Sequence, residues 1–272
     1  MRQKYFSSSI IIFKKAMNRN QFKYALSDCI EETGRENLKT IIESIYRITG
    51  RQNMEQALVV FGQCFHVDNL ISPFQRINKV SNKRDSLTFL TSLIQITSSS
   101  NIDEACNCIR ALTVKKMAVL DILEQIRFKS GHNDIIDFFR KLIALTATQS
   151  LQSAWAVLFS LTSVRDIFVL FNTLSTYTEV DVINFFQTML RITNTTNIRA
   201  AASILFKITG IYQLLDCIRE IHNIVNKDVN HFFEVFITLS KRFQLEEAIL
   251  VLENYTGAPG KASPQPTARH PF

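Results

Sequence analysis

Glycine and proline are nearly missing from most of this chain. Between Met1 and Tyr255 there is one proline, Pro73, and there are five glycines. Sandwiches and barrels depend on turns built from those residues, so their scarcity excludes a β-fold and points to helices. Long apolar runs are missing too. No segment approaches the roughly 18–20 apolar residues of a membrane-spanning helix, so no membrane span is expected. Ser9-Ile10-Ile11-Ile12-Phe13 is also too short for the apolar core of a secretion signal.

Acidic residues are absent from residues 1–23, which carry Arg2, Lys4, Lys14, Lys15, Arg19 and Lys23. After Tyr255 the chain holds Lys261 and Arg269 and again no acid. The formal charge of +7 therefore belongs to the two ends, and residues 24–255 come to −1, from 23 basic and 24 acidic groups. A groove that neutralises many phosphates would place its Lys and Arg excess in the body. An acid-free, Ser-containing start also fits an organelle transit peptide, although the repeat described below favours a basic first helix.

No GxGxxG, GxxxxGK[ST], HExxH or GxSxG pattern occurs. Carboxylate pairs such as Glu31/Glu32 and Glu246/Glu247 are sequence neighbours, which cannot converge on a helix. The five cysteines (Cys29, Cys64, Cys106, Cys108, Cys217) lie in apolar segments without paired spacing, and the five histidines form no ligand motif. The thiols read as buried and free in a reducing, intracellular compartment, the cytoplasm, or a host cytosol for a microbial or viral chain. No metal, cofactor, small-molecule substrate or catalytic residue is expected, and the chain is not expected to be an enzyme.

What is present is a folding composition, 46% hydrophobic with 21 Phe among 272 residues, and a repeat. Thr49, Thr97, Thr146, Thr193 and Ser240 each close an apolar segment and are 48, 49, 47 and 47 residues apart. Ala57, Ala105, Ala154, Ala201 and Ala248 follow at the same spacings. Upstream of each Thr or Ser, apolar residues fall at spacing 0, 1, 4, 7, from Ile41, Ile42, Ile45 and Ile48 to Phe232, Phe233, Phe236 and Leu239. That spacing is one face of a helix.

A second helix contains the small alanine, which lets neighbouring helices approach closely. A third repeats more loosely at 0, 4, 7, as in Val119, Leu123 and Ile126. The loop "RITNTTNIRAA" has siblings in every unit, and its Asn197 matches Asn53, Asn101 and Ser150 as a helix N-cap. The Thr before each loop is placed to bond back to a carbonyl one turn earlier.

These units predict an all-α fold, a right-handed α-solenoid of about five three-helix repeats with a period of about 48 residues. Residues 1–37 are expected to cap it as a partial repeat, residues 38–255 to form the array, and the Pro/Gly-rich residues 256–272 to be a disordered tail. A three-helix unit of this length resembles armadillo and HEAT-type repeats. The resemblance is architectural: the glycine between the first two helices and the asparagine ladder of armadillo proteins are missing.

The outward positions of the third helix change in charge and size from unit to unit, which suits a protein partner with its own irregular surface. Asp28, Arg76, Glu124, Asn172 and Arg219 are the candidate contacts. The expected function is a non-enzymatic scaffold or adaptor that engages a partner protein along the curved surface. The alternative is an RNA- or DNA-binding helical repeat that uses Lys14, Lys15, Arg19 and Lys23.

Overall fold

The computed structural model describes residues 22–65, 71–178, 180–225, 228–241 and 244–256. The basic residues Lys14, Lys15 and Arg19 and the tail beyond residue 256 lie outside these residues, and the side chain of Lys23 is likewise not described. Among the described residues the fold is all-α, with no strand.

The helices are α1 (Phe22–Thr33), α2 (Leu38–Thr49), α3 (Met54–Phe65), α4 (Ile71–Ser81), α5 (Ser86–Thr97), α6 (Ile102–Arg110), α7 (Val119–Ser130) and α8 (Ile135–Thr146). They continue with α9 (Leu151–Thr162), α10 (Ile167–Tyr177), α11 (Val182–Thr193), α12 (Ile198–Thr209), α13 (Leu214–Val225), α14 (Val229–Ser240) and α15 (Leu245–Thr256). None is long and apolar enough on its own to cross a membrane.

The order of contacts follows the sequence repeat. Each first helix packs on the first helix of the next unit, α2 on α5, α5 on α8, α8 on α11 and α11 on α14. Third helices stack likewise, α1 on α4, α4 on α7, α7 on α10 and α10 on α13. The five repeat alanines are fully buried, as the close approach of first and second helices requires. Phe138, Phe139, Phe185 and Phe186 are core residues, and Phe138 meets Phe171 of α10 edge to face at 5.8 Å. One apolar cluster runs from Cys29 to Leu245.

Polar punctuation holds the register. Thr49, Thr97, Thr146 and Thr193 each donate their hydroxyl to the carbonyl four residues back, at 2.7–3.0 Å. The next residue is left-handed in every unit (Gly50, Ser98, Ala147, Asn194, Lys241), and only the first is glycine. Asn53, Asn101, Ser150 and Asn197 then accept backbone N–H bonds as N-caps. Glu104 closes a capping box one residue early: its carboxylate accepts from the backbone N–H of Ser100, and from Asn101 only through the side-chain Nδ2.

A second ladder escaped the sequence reading. Asn37, Asp85, Asp134, Asp181 and Asp228 cap the five first helices and share the repeat spacing. A polar residue four positions before the first apolar pair was the available signal.

One expected core position is not in the core. Leu239, the last member of the fifth 0, 1, 4, 7 set, is 76% exposed. Its counterparts are covered by the next unit, and no described helix follows on that side.

Candidate functional site

The third helices α1, α4, α7, α10 and α13 carry the five candidate contacts, one on each. Asp28 is exposed. Arg76 and Glu124 are brought together: Arg76 donates Nε and Nη2 to the two Glu124 oxygens at 2.8 and 3.0 Å, and Nη2 also to Asp121 Oδ1 at 2.6 Å. This bidentate pairing couples α4 to α7. Hydrogen bonding to Glu124, and then to Asp121, outweighs burial and raises the guanidinium pKa further above its ordinary value. Asn172 accepts from Lys129 Nζ of α7 at 2.7 Å, and Arg219 pairs with Asp216 on its own helix at 2.7 Å.

The candidates are therefore not a convergent cluster. Arg76, Glu124 and Asn172 spend their polar groups on neighbouring third helices. Asn78 extends the same ladder, donating from Nδ2 to the carbonyl and carboxylate of Glu32 at 2.7 and 2.6 Å. Irregular charge along this layer thus has an internal use, fixing the register of adjacent helices. Asp28 and Arg219 are the two exposed charges of the set that bridge no two helices among the described residues.

A residue that the sequence reading missed stands on the same layer. Phe128 of α7 is 87% exposed. It lies nine residues after Val119, in an outward row that continues through Lys79 of α4, Thr176 of α10 and Asn223 of α13. Arg127 and Lys129 flank it, and among the described residues neither they nor Lys79 are ion-paired. An exposed aromatic side chain beside cationic groups is the kind of residue that protein interfaces desolvate. Spacing alone offered a signal, since no 0, 4, 7 core set includes that position.

The chemistry available elsewhere is limited. Burial, with a smaller contribution from Asp28, pushes the Cys29 thiol up to about 12. A hydrogen bond with Cys64 and then burial raise Cys106, and burial raises Cys217. Such thiols stay protonated and are poor nucleophiles or metal ligands near neutral pH. Among the described residues no three His, Cys, Asp or Glu side chains converge.

Asp166 is buried at the N-terminus of α10 and accepts from Thr113 Oγ1 at 2.7 Å and from the Phe168 N–H at 2.8 Å. Burial raises its pKa, but these bonds outweigh that effect and hold it below the usual carboxylate range. The bond partners are structural, joining the loop after α6 to α10.

Comparison with protein-family models, curated proteins and solved structures gives no match to this chain.

Proposed function

We propose that the chain is a non-enzymatic scaffold or adaptor that engages a partner protein on the outward face of its third-helix layer. The observation that carries this reading is Phe128, an aromatic side chain 87% exposed on that layer beside Arg127 and Lys129. Binding hot spots are enriched in aromatic and arginine side chains that become fully desolvated by the partner. The surrounding cations favour a partner that brings carboxylates around an apolar residue. Exposed Asp28 and Arg219 extend the surface at its two ends.

The test is affinity capture with wild-type, Phe128→Ala and Arg219→Glu chains. Because Phe128 and Arg219 are exposed, the variants keep the fold, and a partner captured by wild type is lost or reduced with Phe128→Ala. A captured set identical for all three chains counts against the third-helix face. Capture of RNA or DNA that weakens steeply with salt and disappears on removal of residues 1–23 favours the basic N-terminal reading instead.

A further inference from the structure

The loops that join second to third helices stack along one edge of the array. Residues 111–118, 163–166 and 210–213 form three of them. The Ile167 N–H donates to the Leu112 carbonyl at 2.8 Å, and the Thr113 hydroxyl donates to Asp166 at 2.7 Å, so the first two loops touch. Ser163 Oγ donates to Gln213 Oε1 at 3.1 Å and joins the second loop to the third.

These loops bring apolar and basic side chains into solvent together. Val114 is 69% exposed and is followed by exposed Lys115 and Lys116. Arg165 is exposed, with its guanidinium 5.6 Å above the ring centroid of Phe159, itself 37% exposed. Tyr212 in the third loop is 76% exposed. The nearby carboxylates are already engaged: Asp121 with Arg76, Asp166 with Thr113, and Asp216 with Arg219. Lys115, Lys116 and Arg165 form no ion pair among the described residues.

We propose that this edge docks the chain on a bilayer surface rich in anionic phospholipid. Lys115, Lys116 and Arg165 meet the headgroup charges. The amphipathic ring of Tyr212 sits at headgroup level, and Val114 reaches the acyl boundary. Interleaving decides between this occupant and the others. The cores of protein interfaces are depleted in lysine, whereas here two lysines directly follow the exposed valine. A nucleic acid would stack bases on open aromatic faces, but Val114 offers none and Arg165 covers one face of Phe159. A second copy would bring like charges together. The edge is also separate from the third-helix face. Val114, Lys115 and Lys116 precede α7, whereas Phe128 lies about 14 Å along that helix from its first residue.

Cosedimentation of the full chain with phosphatidylcholine vesicles containing about 30% phosphatidylserine should give saturable binding that pure phosphatidylcholine does not. Lys115→Gln combined with Lys116→Gln should weaken it about 25-fold, at about fivefold for each cation lost near the surface. Val114→Ser combined with Tyr212→Ser leaves the charge unchanged and should weaken it at least about tenfold. Both variants should keep the wild-type melting temperature, because all four side chains are exposed. Phe128→Ala should bind the vesicles as wild type does. Absence of saturable binding, or wild-type affinity in either edge variant, overturns the proposal. Binding lost with Lys14→Gln and Lys15→Gln but kept in both edge variants assigns it to the basic N-terminal residues and overturns it too. Tighter binding of an RNA oligonucleotide, lost with the lysine pair and kept with Val114→Ser and Tyr212→Ser, assigns the edge to nucleic acid and is equally fatal.

Discussion

Ala147→Gly should stabilise this protein, although alanine to glycine destabilises most helical proteins. Ala147 follows Thr146 at the end of α8 with φ 52° and ψ 44°, and its side chain is exposed. A side chain in that left-handed conformation costs about 1–2 kcal/mol, because Cβ crowds the following carbonyl oxygen. Since the methyl is in water, removing it sacrifices little packing. Against the relief stands the larger backbone entropy of glycine in the unfolded chain, about 0.5–1 kcal/mol. The net gain is about 0.5–1 kcal/mol, or a rise of about 1–4 °C for a chain of this size.

The control is Ala156→Gly. Ala156 is an exposed residue inside α9, where glycine should cost about 1 kcal/mol. Urea denaturation followed by circular dichroism gives both values, with the slopes compared because repeat arrays can depart from two-state behaviour. A loss of stability in Ala147→Gly equal to that in Ala156→Gly would refute the left-handed closure of the first helix, and with it the physical account of the repeated loop.

Two further outcomes are expected. With iodoacetamide at pH 8 under native conditions, half-buried Cys108 should react fastest, while Cys29, Cys64, Cys106 and Cys217 stay protected; mass spectrometry that finds Cys29 or Cys106 modified as fast as Cys108 contradicts their burial. Asp166 is held below its ordinary pKa in the folded chain, so the unfolded chain takes up the proton first, and this contribution to stability is full above about pH 4 and lost as pH falls through the folded value. Asp166→Asn should lower stability at pH 7 and flatten this acid limb of the curve, whereas an unchanged limb would show that Asp166 is not responsible for it.

The sequence made the helical repeat legible because its signals are local and periodic. The 0, 1, 4, 7 spacing marks a buried face, an Asn or Ser before four of the five alanines marks a cap, and Thr193 marks a helix end, all without knowledge of the partner helix. The left-handed residue after each Thr or Ser was hidden, since Ser98, Ala147, Asn194 and Lys241 share no side-chain feature and their common property is a backbone angle.

The surface was harder to read for a different reason. Arg76, Glu124 and Asn172 look like free recognition groups in one dimension, but residues 43–48 apart become neighbours across stacked helices and satisfy one another. Leu239 has the sequence signature of a core residue, yet no helix among the described residues covers it. Phe128 fits no core set, yet an unassigned aromatic in a chain with 21 Phe attracts no notice until its exposure is known.

The most direct test of the scaffold reading is capture from native lysate with three chains: wild type, Phe128→Asp, and Arg199→Glu in the second-helix layer, where Arg199 is exposed in α12. The account predicts one or more proteins retained by wild type and by Arg199→Glu and lost with Phe128→Asp, at equal protein stability. The same proteins retained by all three chains would contradict it.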